Sequence, residues 1–253
     1  LSEAKKPFAI IGGSCWSADA VAGFRRFAER FDLPVGCSLR RQMLFDHDHP
    51  NYAGDVGIGI NPALAERVKQ ADVLLLIGGR MSEMPSSNYK LIDIPNPRQA
   101  LVHVHPGAEE IGRVYHPALG INASPTAFVA ALEGLEPSGR GVAWASETRA
   151  ANEAFRTWTV PKENVGPVQL GAVVTWLRDR LPDDSIVTNG AGNYSGWVHR
   201  YFRFRRYNSQ LAPTSGSMGY GLPAAVAAKV RFPERIVVAF AGDGCFQFTS
   251  QEF

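Results

Sequence analysis

Near the end of the chain a single acid stands between two glycines, in the run VVAFAGDGCF (237–246). The apolar residues read as a buried strand. Where it stops, Asp243 has no side chain on either neighbour. A carboxylate cannot bind phosphate oxygens directly, but it can hold a hard divalent cation that does. Magnesium takes a few carboxylate and carbonyl oxygens together with phosphate oxygens. Two more glycine-rich stretches lie close in sequence: NGAGNYSGW (189–197) follows a strand-like run, and SGSMGYG (215–221) precedes a helix-like one. Backbone N–H groups in such loops, and at helix starts, bind phosphate oxygens. Gly-Asp-Gly alone is a common surface turn. Three such loops in one β/α unit favour a cation–phosphate site, with Asp243 as metal ligand and Gly242 and Gly244 clearing space.

Other chemistry-bearing residues carry less. Cys245 reads as a small packed thiol rather than a nucleophile. DHDHP (46–50) has ligand-type residues on a loop with no further partner, which is thin support for a metal. RYFRFRRY (200–207) alternates bases and aromatics, as an extended segment with one wet basic face would. The cysteines, Cys15, Cys37 and Cys245, lack metal-ligand spacing, and an odd number fits a disulfide framework poorly. A reducing, cytoplasmic compartment is expected. A net charge of +2 is too small to argue for nucleic acid or membrane as partner. No apolar run reaches the roughly 18 residues of a membrane span, and no signal peptide is visible.

These residues need elements to position them. In the first half, strands are expected at 7–13, 33–38, 72–79 and 99–105. Helices are expected at 17–31, 61–71 and 124–135, from apolar residues at helical spacing. Asn61 and Ser124 are plausible caps, each followed by proline. Alternating strand and helix implies a parallel sheet with right-handed crossovers. The dinucleotide fingerprint is absent from IGGSCWS, so this half alone is a weak argument for a nucleotide. Residues 136–166, rich in Pro and Gly at both ends with a helix between, read as a linker. From 167 a second unit begins with a helix, a strand into NGAGNYSGW, a loop and helix around SGSMGYG, and the strand before Asp243. The expected fold is α/β: two Rossmann-like, doubly wound parallel-sheet domains over 1–135 and 167–253, the second truncated.

GDGCFQFTSQEF closely matches the opening of the thiamin diphosphate motif, and GSMGYGLPAA matches a Gly-x-Met-Gly-x-Gly-Leu-Pro segment of the same enzymes. GNYSGW sits where acetolactate synthases carry Gly-Gln-His-Gln-Met-Trp. DHPNYAGDVG, QADVLLLIGGR and HVHPGAEEIG resemble segments of that family's central domain. Over nearly its whole length the chain resembles the central domain, a nucleotide-binding type, plus the first part of the diphosphate-binding domain of an acetolactate-synthase-like enzyme.

The resemblance implies roles. Asp243 coordinates Mg2+. Gly242, Gly244 and Cys245 line the diphosphate, the last two through backbone amides. Gly216 offers its carbonyl to the aminopyrimidine, with Ser217 beside it. Met218 is the apolar wedge that bends the cofactor, and so the catalytic contact. Asn193 and Tyr194 lie at the diphosphate, although the family's Gln-His pair is replaced there. Arg80 sits where acetolactate synthases place an arginine on FAD; FAD, ADP and an empty domain all stay open, because HVH (103–105) replaces the usual acidic alternation. The implied activity is decarboxylation and carboligation of a small-molecule 2-keto acid, in a homodimer or homotetramer with its site at a subunit interface. An activating glutamate would precede Leu1 and a second metal ligand would follow Phe253, so the excerpt alone would be inactive. The alternatives are a related thiamin-dependent decarboxylase or acyl-CoA lyase, and a non-catalytic nucleotide-binding module.

Overall fold

The computed structural model describes residues 1, 3–137 and 142–253, so 138–141 of the stretch read as a linker lie outside it. The chain divides into two units, one formed by 1–45 and 49–157, the other by 46–48 and 158–253.

In the first unit, strands β1 (Pro7–Ile11), β2 (Val35–Ser38), β3 (Tyr52–Val56), β4 (Val73–Ile77), β5 (Ala100–His105) and β6 (Leu119–Asn122) form one sheet. Its order is β3-β2-β1-β4-β5-β6, with every neighbouring pair parallel. The helices are α1 (Ala18–Arg30), α2 (Pro62–Gln70), α3 (Pro125–Leu132) and α4 (Ala145–Trp158). Ser17, Asn61 and Ser124 cap the first three, each side chain accepting a first-turn amide. Strand side chains alternate between faces. Phe8, Ile10, Leu74 and Leu76 pack in one cluster with Leu64 and Val68 of α2 and Ala151 of α4. Burying such apolar side chains, each large one contributing about 1.5–3 kcal/mol, is what holds this face of the sheet against its helices.

The carboxyl ends of β1 and β4 meet closely. A Cβ on Gly13, at φ +69°, would run into the Gly78 carbonyl. Only two backbones without side chains can pass there. Trp16 Nε1 donates to the Gly12 carbonyl at 2.8 Å and seals the same point.

The second unit holds α5 (Leu170–Arg178), β7 (Ile186–Asn189), α6 (Ser195–Tyr201), β8 (Gln210–Leu211), α7 (Gly221–Arg231), β9 (Val237–Phe240) and the short α8 (Asp243–Gln247). Its sheet is parallel, in the order β8-β7-β9. The segment after α6 alternates as expected, but its basic face is not wet. Phe202 and Phe204 are buried, while Arg203 and Arg205 reach Asp48 at 2.7 and 2.6 Å. Asp48, one of the ligand-type residues of DHDHP, is therefore an ion-pair acceptor. Among the described residues no group of three His, Cys, Asp or Glu could hold a metal ion, and no helix is long and apolar enough to cross a membrane.

Candidate cofactor site

Parallel order puts the carboxyl ends of β7, β8 and β9 on one edge, and each runs into one of the three glycine-rich loops. β7 ends in Thr188 and Asn189, both fully buried. Thr188 Oγ1 donates to the Gly221 carbonyl at 2.8 Å, tying the β7 end to the start of α7. Glycine at 221 permits this: a Cβ there would lie 2.7 Å from the Gly190 nitrogen. The Gly190 amide in turn donates to the Phe240 carbonyl at 3.2 Å, joining the starts of the β7 and β9 loops.

The loops converge further out. A Cβ on Gly244 would lie 3.0 Å from Met218 Cε, so the β8–α7 loop reaches across to the Asp243 turn. Thr249 Oγ1 donates to the Gly219 carbonyl at 2.9 Å and closes the same gap from the other side. Gly216 and Gly219 adopt φ +77° and +83°, a left-handed backbone that ordinary side chains resist. Nothing lies within 4 Å of where a Gly216 Cβ would be, so its backbone faces open space. Ser217 is exposed and its hydroxyl pairs with that of Ser215 at 2.8 Å.

Asp243 is exposed and opens α8, with Gly242 as the preceding cap residue. The amides of Asp243, Gly244 and Cys245 are in the first turn and have no intrahelical acceptor. Cys245 is 4% exposed, and its thiol donates to the Ala191 carbonyl at 3.2 Å. Burial alone would raise its pKa, yet the Tyr194 hydroxyl and nearby backbone groups bring it below the ordinary thiol value. Tyr194 turns inward. Its ring lies against Gly192 and Gly242, and its hydroxyl beside Gly190. Burial first, then the Cys245 thiol, pushes the phenol up to about 12. Asn193 is exposed on the same turn.

Asn193, Tyr194, Gly216, Ser217, Met218 and Gly242 to Cys245 are thus brought to one edge of one sheet. Met218 is 47% exposed and so is no core filler. Asn189 is the residue that sequence reading passed over. Its side-chain amide donates to the Gly190 carbonyl at 2.8 Å, while Oδ1 is buried with no hydrogen bond. The available signal was a polar pair, Thr188-Asn189, closing an otherwise apolar strand.

Arg80 belongs to the first unit, after the β4 strand end. Its guanidinium reaches Glu110 at 3.2 Å, and Arg113 reaches the same carboxylate at 3.2 Å. Burial would raise the pKa of Glu110, but the two arginines hold it below the usual carboxylate value. His103 is buried, which lowers its pKa, and Nε2 faces the Gly79 carbonyl at 3.0 Å. These residues line a hollow of about 200 Å3, below the roughly 300–1,000 Å3 of ordinary ligand pockets.

Fold and edge together define a class: an α/β protein with two parallel sheets, of the kind that takes ligands outside the carboxyl ends of its strands. Residues 1–132 match the family described as thiamine pyrophosphate enzyme, central domain. Residues 190–253 match its C-terminal TPP binding domain. The chain belongs to the thiamine pyrophosphate enzyme family. Over its whole length it is 29% identical to a sulfoacetaldehyde acetyltransferase of Roseovarius nubinhibens, covering 45% of that protein. It is 25% identical to the acetolactate synthase isozyme 2 large subunit of Escherichia coli, again covering 45%. An acetolactate synthase large subunit of Lactococcus lactis is 27% identical, with 43% covered. The chain spans less than half the length of these relatives.

Proposed function

We propose that the full-length protein is a thiamin diphosphate- and Mg2+-dependent enzyme that decarboxylates a 2-keto acid and joins the product to a second carbonyl compound. The observation that carries this reading is the meeting of the three glycine-rich loops at one sheet edge, with Met218 against Gly244 and the exposed Asp243 beside it. The residues fit the cofactor. A side chain would be crowded at Gly242 and Gly244, where a Cβ would lie 3.1 Å from the Tyr194 ring and 3.0 Å from Met218 Cε, while Gly216 opens on free space. A cation shared with diphosphate oxygens needs only one or two protein carboxylates, and Asp243 supplies one.

Thiamin diphosphate, when bound, would supply an electron sink for decarboxylation. The chain's own residues hold and orient. Asp243 would ligate the cation. The Gly244 and Cys245 amides would donate to phosphate oxygens, and the Gly216 carbonyl would accept from the aminopyrimidine. Met218, unbranched and without strongly polar atoms, would supply an apolar contact to the cofactor. Asn193 lies at the diphosphate side. Arg80 stays with Glu110, and no flavin enters the proposal.

The domain reading remains part of this proposal: a central domain over 1–135, a joining stretch over 136–166, and the diphosphate-binding part from 167. A homodimer or homotetramer with the site between subunits, and a cytoplasmic location suggested by three free cysteines, complete it. A sulfoacetaldehyde acetyltransferase and acetolactate synthases stand side by side among the relatives, so the substrate is proposed as a class. Incubating full-length protein with pyruvate and other 2-keto acids tests it. Carbon dioxide release that requires both thiamin diphosphate and Mg2+ is expected. Loaded protein that turns over no 2-keto acid in the panel would favour a non-catalytic binding module.

A further inference from the structure

β7 and β9 are hydrogen-bonded to one another up to the Gly190 amide and the Phe240 carbonyl. Beyond that point the β7 loop and the Asp243 turn share no backbone–backbone hydrogen bond, and side chains bridge them. One bridge is the Cys245 thiol on the Ala191 carbonyl. The other is the Tyr194 ring. Added Cβ atoms on Gly192 and Gly242 would come within 2.6 and 3.1 Å of Tyr194 Cε1, and one on Gly190 within 2.6 Å of its hydroxyl oxygen. Three glycines from two loops thus leave a hollow that this one ring fills. The backbone of Tyr194 is itself fixed, because the Ser195 amide and hydroxyl both bond the Gly192 carbonyl, at 3.0 and 2.7 Å. The hydroxyl oxygen is buried beside Gly190 and interacts with the Cys245 thiol, so it is not the group presented to a ligand.

We propose that Tyr194 is a positioning residue: its ring, seated among Gly190, Gly192 and Gly242, holds the Gly242–Asp243–Gly244 turn at the separation from the β7 loop that lets Asp243 ligate the cation. This rests on the proposed cofactor site and replaces the direct diphosphate contact expected for Tyr194 from sequence. A ring spacer acts through shape. Phenylalanine therefore serves as well as tyrosine, and alanine does not. Crowding the ring has the same effect as removing it. Gly192 lies outside the left-handed region, so Gly192→Ala is compatible with its backbone but drives the added methyl into the ring.

The test is the Mg2+ dissociation constant of the full-length protein at fixed thiamin diphosphate, by calorimetry, with cofactor-free melting temperature as the control for folding. Tyr194→Ala and Gly192→Ala each weaken Mg2+ by about 10–100-fold, the usual effect of disturbing a residue that orients a ligand. Tyr194→Phe stays near wild type, and Tyr194→Ala with Gly192→Ala is no weaker than Tyr194→Ala alone. Wild-type affinity in Tyr194→Ala overturns the proposal. So does Tyr194→Phe as weak as the alanine variant, since the hydroxyl would then be the working group.

A second readout needs no cofactor: the iodoacetamide alkylation rate of Cys245, followed by peptide mapping to separate it from Cys15 and Cys37. Release of the turn exposes the buried thiol, so Tyr194→Ala alkylates faster and Tyr194→Phe does not. Equal rates in all three proteins overturn the positioning role. Wild-type protein that takes up no Mg2+ with thiamin diphosphate, yet shows this alkylation pattern, would instead remove the cofactor reading while leaving the ring as the clamp of the turn.

Discussion

Replacing Met218 with alanine separates a cofactor wedge from a packing residue. A fully buried methionine costs about 2–5 kcal/mol when cut to alanine. Met218 is 47% exposed and its terminal methyl is close to Gly244. Roughly half the burial leaves about 1–2.5 kcal/mol, which in a chain of this size moves the melting temperature by about 2–10 °C. The catalytic cost is set differently. A cofactor free to shift by about an ångström can lose about a hundredfold in rate. The assay pairs scanning calorimetry without cofactor and turnover at saturating cofactor, on full-length wild type and Met218→Ala. A melting temperature lower by ten degrees or more with near-normal turnover per folded molecule would refute the reasoning.

Asp55, beside Cys37 in the β2–β3 register, is pushed up to about 7 by burial, against the opposing pull of Arg40. The folded state then binds a proton that the unfolded chain has already released, so stability falls as pH rises from about 4 to about 7 and levels off above; urea unfolding across that range, with Asp55→Asn giving a flatter profile, checks this. Gly13→Ala drives a methyl into the Gly78 carbonyl at a left-handed backbone position, and a loss of about 3 kcal/mol or more in urea unfolding is expected. Cys245→Ser keeps the backbone amide and a donor toward Ala191, so calorimetry should find thiamin diphosphate affinity within about threefold of wild type. Purified full-length protein should be colourless and gain no flavin absorbance with FAD, and a yellow protein would reopen Arg80 as a flavin contact.

Strand and helix order in the first half was legible because the apolar runs are long and the caps are local: Ser17, Asn61 and Ser124 announce their helices from neighbouring residues alone. β3 and β6 were not. β3 reads YAGDV, with a glycine and an acid inside it, and β6 is a four-residue, largely exposed edge strand. Both exist because a neighbouring strand offers a ladder, which no local pattern records. α6 was hidden in the same way, since Ser195-Gly196 reads as turn chemistry until the Gly192 carbonyl captures Ser195. At the site, Asp243 and Met218 could be found from residue type and motif. Tyr194 was found but its direction was not, because the hollow that takes its ring is built by glycines from two loops.

The most direct test of the account is Mg2+ titration of the full-length protein in the presence of thiamin diphosphate, wild type against Asp243→Ala and Asp243→Asn. One carboxylate from this chain is assigned to the cation, so its removal should abolish Mg2+ uptake and with it tight binding of the cofactor, while cofactor-free melting stays near wild type because Asp243 is exposed. Undiminished Mg2+ and thiamin diphosphate binding by the Asp243 variants would contradict the account.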